Sequence, residues 1–338
     1  MYIHSNIHMM LLVFCHVQFR GGALFMANTY EAAKQPTLYF IGVTTGKSSI
    51  MRVFPKWAEA LGLKNTIIKG IDFKPHSAPE EYRKAVEFIK NDPLSMGALV
   101  TTHKIDLYNA CKDMFDYLDP YALHLGEISS ISKKDGKLCG HAKDPISSGL
   151  ALEHFVPNQY WEKYHGDVLL MGAGGSSLAM ALYLTRQDHG NNVPERIIIA
   201  NRSQPRLDSA RKLLKDLNPA TRIEYVLNPT PKDNDRTLEM LKSHSLIVNA
   251  TGLGKDGPGS PITDKGVFPM DSLVWEINYR GELLFKKQAE AQMESRNLHV
   301  EDGWIYFIHG WTQVIAEVFH IDIHGKTLEN LSEIAKKC

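Results

Sequence analysis

The chain has 338 residues, 43% of them hydrophobic and 22% charged, with 38 basic side chains balanced by 38 acidic ones. That length exceeds what one compact core usually holds, so two domains are expected, and the composition is that of a folded globular protein. A formal charge of zero at pH 7 argues against a broad nucleic-acid or anionic-membrane surface, while leaving room for a local phosphate pocket.

Near the N-terminus, Met9–Val17 is an apolar run too short to span a bilayer. No Lys or Arg precedes Arg20, so the basic region of a secretory signal is missing. Met26 opens a more usual start, MANTYEAAKQP, and residues 1–30 are expected to be a disordered extension. Cys15, Cys111, Cys139 and Cys338 have no paired spacing and read as thiols of a reducing compartment, the cytoplasm.

From Thr37 the pattern alternates between strands and helices. Leu38–Val43 suits a buried strand, and Ile50–Leu63 follows with Met51, Phe54, Trp57, Ala58 and Leu61 at helical spacing. Thr66–Phe73 is a second predicted strand, Glu80–Ile89 a helix, and Ala98–Thr101 a third strand running into Thr102, His103 and Lys104. This order predicts a mostly parallel sheet. Glu127–Ser132 and Lys137–Gly140, joined by Asp135-Gly136, predict a hairpin that delivers the chain to Asp144. Pro145, Ser147, Ser148 and Gly149 mark a boundary, with a bridging helix over Gly149–Phe155.

A second alternating unit starts at Asp167. Its predicted strands are Val168–Met171, Arg196–Ala200, Ile223–Leu227, Leu246–Asn249 and Leu273–Ile277, and its helices Leu178–Gln187 and Leu207–Leu217. Trp304–Phe319 is a late amphipathic helix expected to return to the first domain. The fold class is therefore α/β, in two units over 36–148 and 149–302.

The segment VLLMGAGGSS places Gly172, Ala173, Gly174, Gly175 and Ser176 between an apolar strand and a helix. Glycines there let the backbone approach a pyrophosphate, and the helix N-terminus offers free N–H groups and a partial positive charge. The following strand ends in Asn201, Arg202 and Ser203, with Arg206 close behind and no carboxylate. A guanidinium suits the 2′-phosphate of NADP, where a carboxylate would suit the ribose of NAD. Asn249, Ala250 and Thr251 follow another apolar strand, a position for contact with the nicotinamide side that an ordinary turn would fill equally well.

Four segments in this order, GALVTTHK, GKLCGHAKD, GAGGSS with ANRS, and LIVNATG, give a chain that resembles the shikimate dehydrogenase family from about Tyr39 onward. The resemblance implies a two-domain α/β enzyme, with a substrate-binding domain over 36–148 completed by 303–338 and a Rossmann-type NADP-binding domain over 149–302, moving hydride between NADP and a ring carbon that bears a hydroxyl. It implies that Lys104 and Asp144 flank that hydroxyl. Independently, a lysine whose ammonium is made more acidic by burial can shuttle the hydroxyl proton, and a carboxylate can orient it. The family's paired serines correspond to Ser48 and Ile50, with Lys47 or Ser49 able to compensate; Thr101 and Ser129 stand in other substrate-binding segments. The family's asparagines are lost at Ser129 and Ala142, the glutamine-containing segment near the C-terminus does not map onto Gln313, and Tyr279 matches a tyrosine beside the nicotinamide.

The expected function is an NADP-dependent oxidoreductase acting on shikimate, quinate or a related cyclic polyol or hydroxy acid, as a monomer or homodimer. The altered pocket segments favour a substrate other than shikimate. The alternative is a catalytically silent NADP-binding sensor. No HExxH or CxxC grouping suggests a metal site; His103 and His141 read as structural, and Trp304, Phe307 and Trp311 as core or pocket wall.

Overall fold

The computed structural model describes residues 30–215, 217–255 and 257–338. The apolar run Met9–Val17, Cys15 and nearly all of the expected extension lie outside these residues. In chain order, β1 (Thr37–Gly42), α1 (Ile50–Ala60), β2 (Ile67–Asp72), α2 (Pro79–Asn91) and β3 (Ser95–Val100) alternate. Next come α3 (Lys104–Cys111), β4 (Tyr117–Leu118), α4 (Pro120–Leu125), β5 (Ser130–Lys134), β6 (Lys137–His141) and α5 (Asp144–Phe155). The strands form one sheet in the order β2-β1-β3-β5-β6-β4. β1 pairs in parallel with β2 and β3, whereas the β5–β6 hairpin pairs antiparallel with itself and with β3. The hairpin turns at Asp135 and Gly136, both at positive φ, the conformation of a two-residue turn matched to strand twist.

After α6 (Tyr160–Tyr164) come β7 (Val168–Met171), α7 (Gly175–Leu184), β8 (Arg196–Asn201), α8 (Gln204–Leu213), β9 (Arg222–Leu227), α9 (Pro231–Glu239) and β10 (Leu246–Asn249). The remainder is β11 (Leu273–Glu276), α10 (Leu284–Glu290), α11 (Met293–Arg296), β12 (His299–Glu301), α12 (Trp304–Phe319) and α13 (Gly325–Lys336). The second sheet runs β12-β11-β10-β7-β8-β9, and every recorded pairing in it is parallel. Its central strands are buried along their whole length, as the continuous apolar runs require of a sheet covered on both faces. The strand order reverses between β7 and β10. Ligands of open α/β sheets enter at such a switch point, beyond the carboxyl ends of the strands.

Three helices begin about three to five residues earlier than the sequence pattern suggested, α8 at Gln204 rather than Leu207 among them. α5 starts at Asp144, not Gly149, because Pro145 lies in its first turn, where a missing N–H costs nothing. Gly149 falls inside it, since a Cβ there would stand 2.2 Å from the Tyr183 ring of α7. α7 starts at Gly175, not Leu178, so the glycines themselves open the helix. α12 joins the two halves. Phe307, Trp311 and Ile315 belong to the core of Phe54 and Trp57, while Ile305 and Tyr306 pack on the core around Leu170. Among the described residues no helix is long and apolar enough to cross a membrane.

Candidate active site

Lys104 is the first residue of α3, just beyond the end of β3, and Asp144 is the first of α5, just beyond β6. β3 and β6 lie on either side of β5 in the first sheet. This brings the ammonium Nζ of Lys104 onto Oδ2 of Asp144 in an ion pair with 22% and 16% of the two side chains exposed. The backbone holds the pair: the Ile128 amide donates to the Lys104 carbonyl at 3.1 Å, and the Lys143 amide donates to Oγ of Ser129 at 2.7 Å. Behind Lys104, the ring of His103 is fully buried, 2.9 Å from the Tyr82 hydroxyl and 3.2 Å from the Gly42 carbonyl.

Burial alone would lower the ammonium pKa of Lys104, as expected from the sequence. The attraction of Asp144, followed by Glu127 and Tyr306, outweighs it and holds the pKa above the ordinary lysine value. The surrounding acids therefore favour the charged form of the lysine. That corrects the expectation of a lysine that readily releases its proton, because in the fold it stands among oxygen acids.

Two of those acids were not singled out in the sequence. Glu127, 3% exposed, precedes the β5 segment; burial raises its carboxyl pKa to about 7, with Lys104 opposing and Asp144 reinforcing the shift. Its Oε1 is buried without a hydrogen-bond partner, and its Oε2 would lie 3.2 Å from a Cβ placed on Gly175. Tyr306 of α12 faces Asp144, Lys104 and Glu127, with the Ser176 hydroxyl beside its phenol, and burial first, then Asp144, raises its pKa. The Lys104–Asp144 pair and the first turn of α7 thus share one cluster. Tyr306 could have been found from the helical spacing of Trp304–Phe319, which separates it from the face of Phe307 and Trp311; Glu127 carries no such signal.

The glycine turn has two separable parts. Gly172 has φ of 116°, and a Cβ there would stand 2.5 Å from the Ala250 carbonyl oxygen, so it is required by the close approach of the β10 loop. Gly174 has ordinary φ and no atom within 4 Å of a Cβ; its free face opens at the N-terminus of α7, as a pyrophosphate needs. Ala173 is buried between them. Gly172→Ala is expected to lower the melting temperature, costing more than about 1 kcal/mol. Gly174→Ala is expected to melt as the parent and to bind NADP more weakly. Paired thermal melts and NADP titrations check both.

At the end of β8 the Asn201 side chain accepts the Ser203 amide at 2.9 Å, which shapes the turn into α8. Arg202 and Arg206 are exposed and have no hydrogen-bond or ion-pair partner among the described residues. Two free guanidiniums beside the glycine turn fit the 2′-phosphate of NADP. Asn249 is fully buried. Its amide donates to Oε2 of Glu276 at 2.7 Å, and its Oδ1 receives the Thr251 hydroxyl at 2.7 Å. Asn249 therefore shapes the loop, and the exposed Thr251 and Ala250 backbone are its surfaces toward a ligand.

The residues expected to bind substrate are dispersed. Ser129 is 2% exposed and its hydroxyl serves the Lys143 amide, so it positions Asp144. The Thr101 hydroxyl lies 3.3 Å from the Ile41 carbonyl. Ser48 ends a short 3-10 turn ahead of α1, and Ile50 is fully buried. Tyr279 packs against Phe307 in a tilted arrangement with ring centroids 4.5 Å apart, and with Trp304, Ser49 and Arg52 it lines a cleft of about 410 Å³. No group of three or more potential metal-ligating side chains occurs among the described residues.

Glu276, at the end of β11, is buried and raised to about 7 by that burial, which outweighs hydrogen bonds from Asn278 and Asn249. Glu276 and Glu127 bind protons more tightly in the fold than their ordinary value of 4.5. Their contribution to stability is complete below about pH 4.5 and is lost as pH rises through about 7. A melting series across that window is expected to show stability falling toward the alkaline side, less steeply in Glu127→Gln.

Comparison with known proteins gives a consistent picture. The shikimate dehydrogenase (NADP(+)) of Paramagnetospirillum magneticum is 29% identical over 241 residues, covering 71% of this chain and 77% of that protein. The enzyme of the same name from Lactococcus lactis is 26% identical over 53% of this chain and 61% of its own length. A crystal structure of the Thermus thermophilus shikimate 5-dehydrogenase with NADP(H) and shikimate superposes with a TM-score of 0.65 at 20% identity, covering 89% of this chain and 98% of that one. No protein-family profile matches the chain.

Proposed function

We infer that this chain, shikimate dehydrogenase-like in sequence and fold, is an NADP-dependent oxidoreductase that interconverts a hydroxyl and a keto carbon of shikimate or a related cyclic polyol or hydroxy acid. The observation that carries this reading is the shared cluster in which Lys104 and Asp144 meet Tyr306 and the first turn of α7. We assign the first sheet, completed by α12 and α13, to the substrate and the second to the cofactor. Gly174, Gly175 and Ser176 would hold the pyrophosphate, and Arg202 and Arg206 the 2′-phosphate. NADP, when bound, supplies the hydride acceptor or donor.

The protein's part is positional and electrostatic. The Lys104 ammonium donates a hydrogen bond to the substrate oxygen and stabilises the negative charge that grows on it as the C–H bond weakens. Asp144 fixes the direction of that ammonium and keeps it charged. The 2′-phosphate cradle and the lack of a carboxylate after β8 select NADP over NAD. A cytoplasmic location and a monomeric or homodimeric state accompany this reading.

Following nicotinamide absorbance with NADP+ and a panel of shikimate, quinate and related cyclic polyols tests it. Turnover of at least one member is expected, faster with NADP+ than with NAD+. Absence of turnover across the panel, with NADP+ still bound, would favour the binding-only alternative.

A further inference from the structure

Asp144 has to meet Lys104 at a fixed distance and direction, yet among the described residues its carboxylate makes no side-chain hydrogen bond other than the one from Lys104. Its place is therefore set by the backbone that leads into it. Each of the three residues ahead of it is tied to another element. The ring of His141, the last residue of β6, places Nδ1 3.7 Å from Oδ2 of Asp119, at the start of α4, and Nε2 3.2 Å from Oε1 of Glu317 on α12. The Ala142 amide donates to Oδ1 of Asp119 at 3.2 Å, and the Lys143 amide to Oγ of Ser129 at 2.7 Å. The Lys143 ammonium forms an ion pair with Oε2 of Glu317. One carboxylate on α12 thus holds both the end of β6 and the residue directly before Asp144.

Stability alone does not account for a lysine at position 143. Lys143 is the N-cap of α5 and makes no capping hydrogen bond, where Ser, Thr, Asp or Asn would bond a free amide of the first turn. Only 12% of its side chain is exposed, and a charge so enclosed needs a partner. Glu317 supplies it. Burial would raise the Glu317 carboxyl pKa, but the hydrogen bond from Lys143 and the nearness of His141 hold it below the ordinary glutamate value. Glu317 lies three turns beyond Tyr306 on α12, and so on the same face. That face meets the Lys104–Asp144 cluster at Tyr306 and holds the approach to Asp144 at Glu317.

We propose that Glu317 is a positioning residue for the reaction: through its ion pair with Lys143 it fixes the start of α5, so that the Asp144 carboxylate aims the Lys104 ammonium at the substrate oxygen. The proposal rests on the dehydrogenase reading above. In this role Glu317 needs no contact with substrate or cofactor. Its loss slows the chemical step and leaves dinucleotide binding as it was, because a misplacement on the order of 1 Å at the reacting groups can cost about 100-fold in rate.

The test combines Lys143→Met with Glu317→Gln in the full chain. Together they remove both charges, so no buried ion is left alone, and Gln keeps an oxygen for His141. The melting temperature should stay close to that of the parent and the NADP+ dissociation constant should not change. With the member of the shikimate, quinate and polyol panel that turns over fastest, kcat should fall by about 10- to 100-fold. Lys143→Arg, which can keep the pair, should retain most of the parent rate. The same two substitutions are then made in Asp144→Ala. With no carboxylate left to position, they should hardly lower the single-turnover rate further. An unchanged kcat in the double variant, or an equal fold-loss with and without the Asp144 carboxylate, overturns the proposal. A double variant that melts well below the parent marks the pair as a general structural tie and overturns it too. If the parent turns over no member of the panel, the dehydrogenase reading falls and the proposal with it.

Discussion

Lys104→Ala is expected to lower kcat by about 10²- to 10³-fold, the range lost with one preorganised donor to a developing oxyanion, while NADP affinity changes little. Among the described residues the lysine's side-chain hydrogen bond is to Asp144, and the expected phosphate contacts come from the first turn of α7, the turn after β8 and α8. Steady-state kinetics beside an NADP titration separate these effects. The variant should also be less stable, because Asp144 is left largely buried and unpaired. Asp144→Asn gives a complementary result. Removing the strongest upward influence on Lys104 lets its ammonium pKa fall, so the alkaline limb of the pH–rate profile should move to lower pH.

Replacing Arg202 and Arg206 together by Ala should weaken NADP binding while leaving NAD binding nearly as it was. A hydrogen bond to a charged group contributes about 1.5–3 kcal/mol, which is about 10- to 150-fold in the dissociation constant. Both arginines are exposed and without a hydrogen-bond or ion-pair partner among the described residues, so their removal breaks no such bond within the protein. Titrating parent and variant with each dinucleotide measures the loss. An equal loss for NAD would place the arginines outside the 2′-phosphate site.

Much of this architecture is legible in the chain because its signals are local. The buried runs Val168–Met171 of β7, Ile197–Ala200 of β8 and Leu246–Val248 of β10 are apolar, and Asp135-Gly136 turns the β5–β6 hairpin. Trp304–Phe319 matches α12 from end to end. Gly172 to Gly175 sit where a strand meets a helix, and Lys104 and Asp144 are brought together although 40 residues apart. What escaped depends on contacts between distant segments. The course of α5 from Asp144 depends on Gly149 lying under the Tyr183 ring of the distant α7, which lets the helix continue through a glycine. The direction of the Lys104 shift depends on Glu127 and Tyr306, which come from two other elements. Asn249 and Ser129 look like ligand contacts in sequence, but the fold turns their polar atoms onto Glu276 and Lys143. Burial converts these two from binding groups into supports.

The most direct measurement is the fate of deuterium placed on the carbinol carbon of shikimate, quinate and related cyclic polyols during incubation with NADP+. Direct hydride transfer at the Lys104–Asp144 site requires the label to appear on the nicotinamide ring of the NADPH recovered, one deuterium per turnover, and to vanish with Lys104→Ala. Recovery of the label in water, or no labelled NADPH from any of these compounds, would contradict it.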